Sequence, residues 1–143
     1  MTDVIAIASD HAGFVLKEAL KEKIIALGYQ VRDLGANSEA SVDYPDFGHA
    51  LAQSVVSGEA KFGVAVCGSG IGICIAANRH GGARAALCTS AKLATLARQH
   101  NDANILALGA RIVDQETAFA CLETFLTTEF EGGRHQQRID KLG

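Results

Sequence analysis

A single proline, Pro45, interrupts the 143 residues, and no apolar run is long enough to span a bilayer. The chain has no block of basic residues, and its net charge is −3. Nucleic acid is therefore a poor fit as a partner, although a few well-placed arginines still suffice to hold a small anion. The four cysteines, Cys67, Cys74, Cys88 and Cys121, include no C-x-x-C pair and no cysteine–histidine spacing of the zinc-site kind. Free thiols in a reducing compartment are the expected state. The start, Met1-Thr2-Asp3 followed by Val4-Ile5-Ala6-Ile7-Ala8, lacks the basic flank and cleavage site of a secretory signal. A cytoplasmic protein is the expectation, with no membrane partner.

What is present is a core-forming composition, 48% hydrophobic, of a length suited to one domain over residues 1–143. Strand-like apolar runs at 4–8, 29–34, 62–66, 83–87 and 105–108 alternate with helical patterns. The helices are expected at 14–27, from about Pro45 to Ser57, at 71–78, 90–98 and 114–127, with a short basic one at 134–141. Pro45 suits a first helical turn, Gly28 and Gly58 suit helix ends, and Asp114 suits an N-cap. Alternation of this kind predicts an α/β fold, a three-layer α/β/α Rossmann-like sandwich around a five-stranded parallel sheet. Ligands of such sheets bind beyond the carboxyl ends of the strands. That rule singles out Ser9-Asp10-His11, the run from Cys67 to Gly72, Thr89-Ser90 and Gly109-Ala110-Arg111. Asp43-Tyr44 and His100-Asn101-Asp102 are further loop candidates.

The run Cys67-Gly68-Ser69-Gly70-Ile71-Gly72 carries the most chemistry. It places a thiol at a strand-to-helix turn, where backbone N–H groups favour negative charge and the thiolate form. It is neither a dinucleotide fingerprint nor a Walker A loop, and Ile73 stands where a cysteine phosphatase loop needs arginine. Two readings stay open from this segment alone: a base beside an oxyanion site, or a glycine turn with a packed cysteine. Asp10 is either a site carboxylate or the N-cap of a helix beginning near Ala12. His11 is either an anion donor or an exposed histidine, and His100-Asn101 either site residues or a surface helix end. Arg134 and Arg138, at i and i+4, form either a phosphate clamp or a solvated basic face. Arg111 favours the anion reading, while His49 and His80 suit surface or structural roles.

Taken together, several blocks resemble the B-type ribose-5-phosphate isomerase family, which also contains galactose-6-phosphate and allose-6-phosphate isomerases. They are Ser9-Asp10-His11-Ala12-Gly13-Phe14, Asp43-Tyr44-Pro45, Cys67-Gly68-Ser69-Gly70-Ile71-Gly72, Arg98-Gln99-His100-Asn101-Asp102, Gly109-Ala110-Arg111 and Glu131-Gly132-Gly133-Arg134-His135-Gln136-Gln137-Arg138. The resemblance runs almost end to end. It implies an aldose–ketose isomerase acting on a phosphosugar through an enediolate, with no metal and no cofactor. It also implies a homodimer, with a dimer of dimers as the larger alternative, whose active sites are shared between subunits. By the same resemblance Cys67 is the base and Ser69 relays protons. His100 opens the sugar ring, Asp10 assists or contacts hydroxyls, and Asn101 steadies the enediolate. Gly68, Gly70, Ile71 and Gly72 form the backbone cradle and Tyr44 a pocket wall. His11, Arg111, Arg134 and Arg138 hold the phosphate, and His135 receives no role. A second subgroup carries a glutamate base where this chain has Ile73, and many relatives carry threonine at Ser69, which keeps the hydroxyl. Ribose 5-phosphate and ribulose 5-phosphate are the expected pair. A four- or six-carbon phosphosugar is the nearest alternative, and a phosphosugar-binding module without turnover the more distant one.

Overall fold

The computed structural model describes residues 3–143. Its centre is a five-stranded sheet, ordered β2-β1-β3-β5-β4, in which every neighbouring pair is parallel. The strands are β1 (Val4–Ser9), β2 (Gln30–Asp33), β3 (Phe62–Cys67), β4 (Ala85–Leu87) and β5 (Ile105–Gly109). The helices are α1 (Phe14–Ala26), α2 (Tyr44–Val56), α3 (Ile71–Ala77), α4 (Ala91–Asn101), α5 (Gln115–Thr127) and α6 (Arg134–Asp140). The three-layer Rossmann-like sandwich expected from the alternation is the fold that forms.

The alternation of side chains along the strands separates two cores. Bulky residues of one face, Ile5, Ile7, Val64, Val66, Leu106 and Leu108, are buried against α1, α4 and α5 through Leu20, Ile24, Ala94, Leu122 and Phe125. The opposite face presents small residues, Ala6, Ala8, Ala65, Cys67 and Ala107, to α2 and α3 through Leu51, Ala52, Val55, Ile73 and Ala77. Small strand residues bring α2 and α3 close to the sheet. Cys67 lies on this side, at the last position of β3.

The chain moves outward in one direction from β1 to β2 and in the other from β1 to β3. The crevice between the carboxyl ends of β1 and β3 is therefore the switch point where ligands of this fold class bind. Asp10 and His11 follow β1, and the glycine loop follows β3.

Several boundaries differ from the expected ones for local reasons. Asp10 does not cap a helix beginning near Ala12: its Oδ1 accepts from the Gly13 N–H (3.1 Å) and holds the turn before α1, which starts at Phe14 as its apolar pattern predicts. Strand β4 begins at Ala85 because the Arg84 N–H is taken by the Asn104 side chain (2.8 Å). Helix α4 continues past Arg98 to Asn101. The buried Arg98 guanidinium donates to the carbonyls of Thr128 (3.0 Å) and Ala103 (2.7 Å) and to Asp102 (2.9 Å), which closes the helix in a left-handed conformation. Other ends shift by one or two residues, while Asp114 caps α5 as expected, accepting from the Thr117 N–H (2.8 Å). Among the described residues, no helix is long and apolar enough to cross a membrane.

Candidate active site

Strand β3 ends by aiming Cys67 at the turn into α3. The Gly70 N–H donates to Cys67 Sγ (3.2 Å), and the Ile71 N–H donates to Ser69 Oγ (3.1 Å). Two amides of the expected cradle, those of Gly70 and Ile71, thus hold the sulfur and the hydroxyl. The Gly72 N–H, second in α3, has no acceptor among the described residues and is the amide open to an anion. Cys67 is 4% exposed, at the floor of the crevice, whereas Ser69 is exposed at its rim.

Gly70 is left-handed (φ 80°), and a Cβ there would come within 2.6 Å of Leu87 and 2.8 Å of the Leu108 backbone. Glycine alone suits both demands. A Cβ on Gly68 would meet the Arg111 guanidinium at 3.2 Å, and one on Gly72 would meet the Tyr44 ring at 2.6 Å. Those short approaches place Arg111 and Tyr44 directly against the loop. The backbone ties the same elements together: the Ala110 N–H donates to the Cys67 carbonyl and the Arg111 N–H to the Gly68 carbonyl, both at 2.9 Å.

Asp10 is 7% exposed, and its N–H donates to the Val66 carbonyl (3.2 Å), which seats it beside the end of β3. His11 Nδ1 accepts from the Val42 N–H (3.1 Å). The ring therefore offers its Nε2–H outward as a donor and is anchored to the loop that leads into α2. Nothing in the spacing of His11 and Val42 announces this link, since it joins residues 31 apart in sequence. Ser90, in another of the carboxyl-end loops, caps α4 by accepting from the Leu93 N–H (3.3 Å). Ile73 is fully buried in the α2/α3 core and serves as a packing residue.

The remaining sequence-predicted residues lie elsewhere. Helix α4 runs back along the sheet, so His100 and Asn101 sit at its amino edge, next to the start of β5. Cys67 pairs in register with Gly109, the last residue of β5. The five residues of β5 therefore separate the two sites by roughly 13 Å along the strand direction. Arg138 joins His100 and Asn101 around a cavity of about 300 Å³, with His135 and Ile139. Arg134 begins α6 beside it. A larger cavity of about 580 Å³ is also on this edge, lined in part by Arg79, Arg84 and Asn101, and does not include Cys67. One chain thus holds two separate groups: Asp10, His11, Tyr44, Arg111 and residues 67–72 on the carboxyl edge, and His100, Asn101, Arg134 and Arg138 on the amino edge.

The amino-edge group contains two residues that sequence reasoning left without a role. The rings of His100 and His135 stack with centroids 4.5 Å apart and planes 13° from parallel. Glu131 Oε1 lies 3.8 Å from His100 Nε2 and 3.6 Å from His135 Nε2. Desolvation, and then the His100 and Arg134 charges, push the His135 pKa below the ordinary histidine value. Glu131 and His135 stand at i, i+4, but Gly132 and Gly133 lie between them and α6 begins only at Arg134, so the spacing alone does not announce the pair. His49 and His80, in contrast, pair with each other (Nδ1···Nε2 2.7 Å), a structural use. Burial pushes the Cys74 and Cys121 thiols up, and the Cys88 thiol up to about 12.

Residues 5–142 match the family model described as Ribose/Galactose Isomerase. The chain is 42% identical to ribose-5-phosphate isomerase B of Escherichia coli over 96% of its own length and 93% of that protein. It is similar to the structure of Clostridium thermocellum ribose-5-phosphate isomerase B, with TM-score 0.97, 48% identity, and coverage of 98% and 95% of the two chains. It is likewise similar to ribose-5-phosphate isomerase B of Mycoplasma genitalium with bound ribulose-5-phosphate, with TM-score 0.94, 44% identity, and coverage of 99% and 95%. The two-sided architecture, the cysteine–glycine loop at the switch point and likeness over nearly the whole chain lead to one conclusion: the chain belongs to the ribose/galactose isomerase family.

Proposed function

We propose that this chain is an aldose–ketose isomerase that interconverts D-ribose 5-phosphate and D-ribulose 5-phosphate, a step of pentose phosphate metabolism, without a metal. The observation that carries the reading is the Gly70 N–H aimed at Cys67 Sγ on the floor of the crevice, 3.2 Å away. A donor fixed on sulfur holds the base in one orientation, ready for an incoming C–H.

The single catalytic unit is assembled from two chains of a homodimer. Two half-sites on opposite edges of one sheet meet when the amino edge of one protomer faces the carboxyl edge of its partner. Helix α3 supplies an apolar surface for such pairing: Ile71 and Ile75 are each 53% exposed, and with Cys74 and Leu87 they line a cavity of about 400 Å³. Four free thiols suit the cytoplasm as the place of work.

In the aldose direction, His100 moves the proton from the anomeric hydroxyl to the ring oxygen and opens the sugar. The Cys67 thiolate then takes the proton from carbon 2, and the electron pair passes to the carbonyl oxygen on carbon 1. The Gly72 N–H and Asn101 hold the negative oxygen of the enediolate. Ser69 moves a proton between the two oxygens, and Cys67 returns its own proton to carbon 1, leaving the carbonyl on carbon 2. Asp10 binds the sugar hydroxyls, Tyr44 walls the pocket, and His11, Arg111, Arg134 and Arg138 take the phosphate.

The test is Cys67→Ala. Turnover of ribose 5-phosphate is expected to fall by at least about 10³-fold while calorimetry shows phosphosugar binding within a few-fold of the wild-type. Residual turnover within tenfold of the wild-type would remove Cys67 as the base. Comparing kcat/KM across four-, five- and six-carbon sugar phosphates tests the choice of substrate.

A further inference from the structure

The amino edge holds a convergent set of donors that the isomerisation steps do not use in full. The Nε2 atoms of His100 and His135 both face one oxygen, Oε1 of Glu131, at 3.8 and 3.6 Å, and the three ligand atoms all lie within 4.8 Å of one another. They come from three backbone positions: the last turn of α4, the segment before α6, and α6 itself. Hydrogen bonds fix their spacing, since the Glu131 N–H donates to the Gln99 carbonyl and the His135 N–H to the Gly132 carbonyl, both at 3.1 Å. His135 is 8% exposed and held by the fold, whereas Glu131 is half-exposed and free to swing.

We propose that His100, Glu131 and His135 form a binding site for a borderline divalent cation of the zinc class. Tetrahedral bonds of about 2.0–2.2 Å to nitrogen and oxygen place neighbouring ligand atoms about 3.3–3.5 Å apart. The observed separations close to that by a small turn of the Glu131 carboxylate and a tilt of the stacked rings. Two imidazoles and one carboxylate are the donors that such a cation prefers, and they leave a coordination position open to water or substrate. Arg134 and Arg138, the positive neighbours acting on His135, sharpen the choice. A hard cation such as Mg²⁺ gains mainly electrostatic energy from oxygen ligands, and the guanidiniums offset it. A zinc-class ion gains directed bonds to imidazole nitrogen and tolerates them better.

A regulatory consequence rests on the reading of His100 as the ring-opening group. A cation on its Nε2 occupies the lone pair that moves the sugar proton, so loading the site inhibits turnover and a chelator restores it.

The experiment uses the full-length chain with all thiols in place. Zn²⁺ and Mg²⁺ binding are followed by calorimetry, and Co²⁺ binding by visible absorption, for the wild-type and for Glu131→Gln and His135→Gln. One Zn²⁺ per chain is expected, with affinity reduced at least about tenfold in each variant, no Mg²⁺ binding, and a Co²⁺ spectrum of nitrogen and oxygen ligation. Unchanged affinity in Glu131→Gln, an exposed position whose substitution leaves the fold intact, would overturn the site. So would no Zn²⁺ binding, or a sulfur-to-cobalt charge-transfer band, which would place the ion on a thiolate. Binding of this pattern without loss of ribose 5-phosphate turnover would uphold the site and count against the role given to His100. Failure to bind leaves the isomerase reading untouched.

Discussion

The two edges of the sheet are built in opposite ways. On the carboxyl edge, backbone does the positioning: glycines let chain segments approach within van der Waals distance, and N–H groups fix Cys67, Ser69 and His11. On the amino edge, side chains carry the chemistry, with His100, Glu131 and Arg138 at the surface and His135 buried behind them. The carboxyl edge is a backbone-built turn around a thiol, with one arginine beside it. The amino edge is a set of charges and proton carriers with no nucleophile. In the proposed mechanism each edge supplies groups that the other lacks. On the reading proposed above, the functional unit is a surface between chains rather than a cavity within one.

The strongest way to break that comparison is subunit complementation. Cys67→Ala and His100→Asn are each expected to lose nearly all turnover of ribose 5-phosphate. Mixed and reassembled, they should recover about a quarter of wild-type activity, because half the dimers are hybrids and each hybrid has one intact site. Assays of the mixture against each variant alone make the measurement. No recovery would mean that both groups act from a single chain, and the division into two half-sites would be wrong.

Gly70→Ala probes the backbone-built edge alone. The left-handed φ and the approach of Leu87 and Leu108 together predict a loss of about 2–4 kcal/mol of stability, seen as a lower midpoint in denaturant. Activity should fall more than stability suggests, because shifting Gly70 withdraws the N–H from Cys67. A matched change on the amino edge, such as Glu131→Gln, should leave stability nearly unchanged. Equal stability effects on both edges would erase the contrast.

How much of this was legible in the sequence follows the same division. The carboxyl edge was readable because its signals are local: a continuous apolar strand, a glycine-rich turn and a helical pattern follow one another in order from Phe62 to Ala77. The sheet class came from alternation alone. The extent of α4 was not readable, because what carries it past Arg98 is a guanidinium bound to carbonyls at 103 and 128. The internal partners of the Gly70 and Ile71 amides were not readable for a related reason. An amide in a glycine loop looks free in sequence until the turn brings a thiol or hydroxyl of the same loop to it. The pairing of Glu131 with both histidines needs α4 and α6 in contact, which no periodicity encodes.

The gentlest test separates the edges by pH. His135 is held below the ordinary histidine value of 6.5 by desolvation first, and then by the His100 and Arg134 charges. In the window between its folded value and 6.5, the unfolded chain binds more protons than the folded one. Stability therefore rises with pH through that window, and the contribution of a neutral His135 is lost as pH falls below it. His135→Gln should flatten the melting temperature between pH 5 and 7 relative to the wild-type, with a small difference that vanishes above pH 7. On the other edge, His11 is anchored through Nδ1 to the Val42 N–H, and His11→Gln should lower phosphosugar affinity. A slope unchanged in His135→Gln would show that the amino-edge histidines are not electrostatically linked. Their stacking would then be packing alone, and the two edges would differ in composition without differing in how they respond to protons.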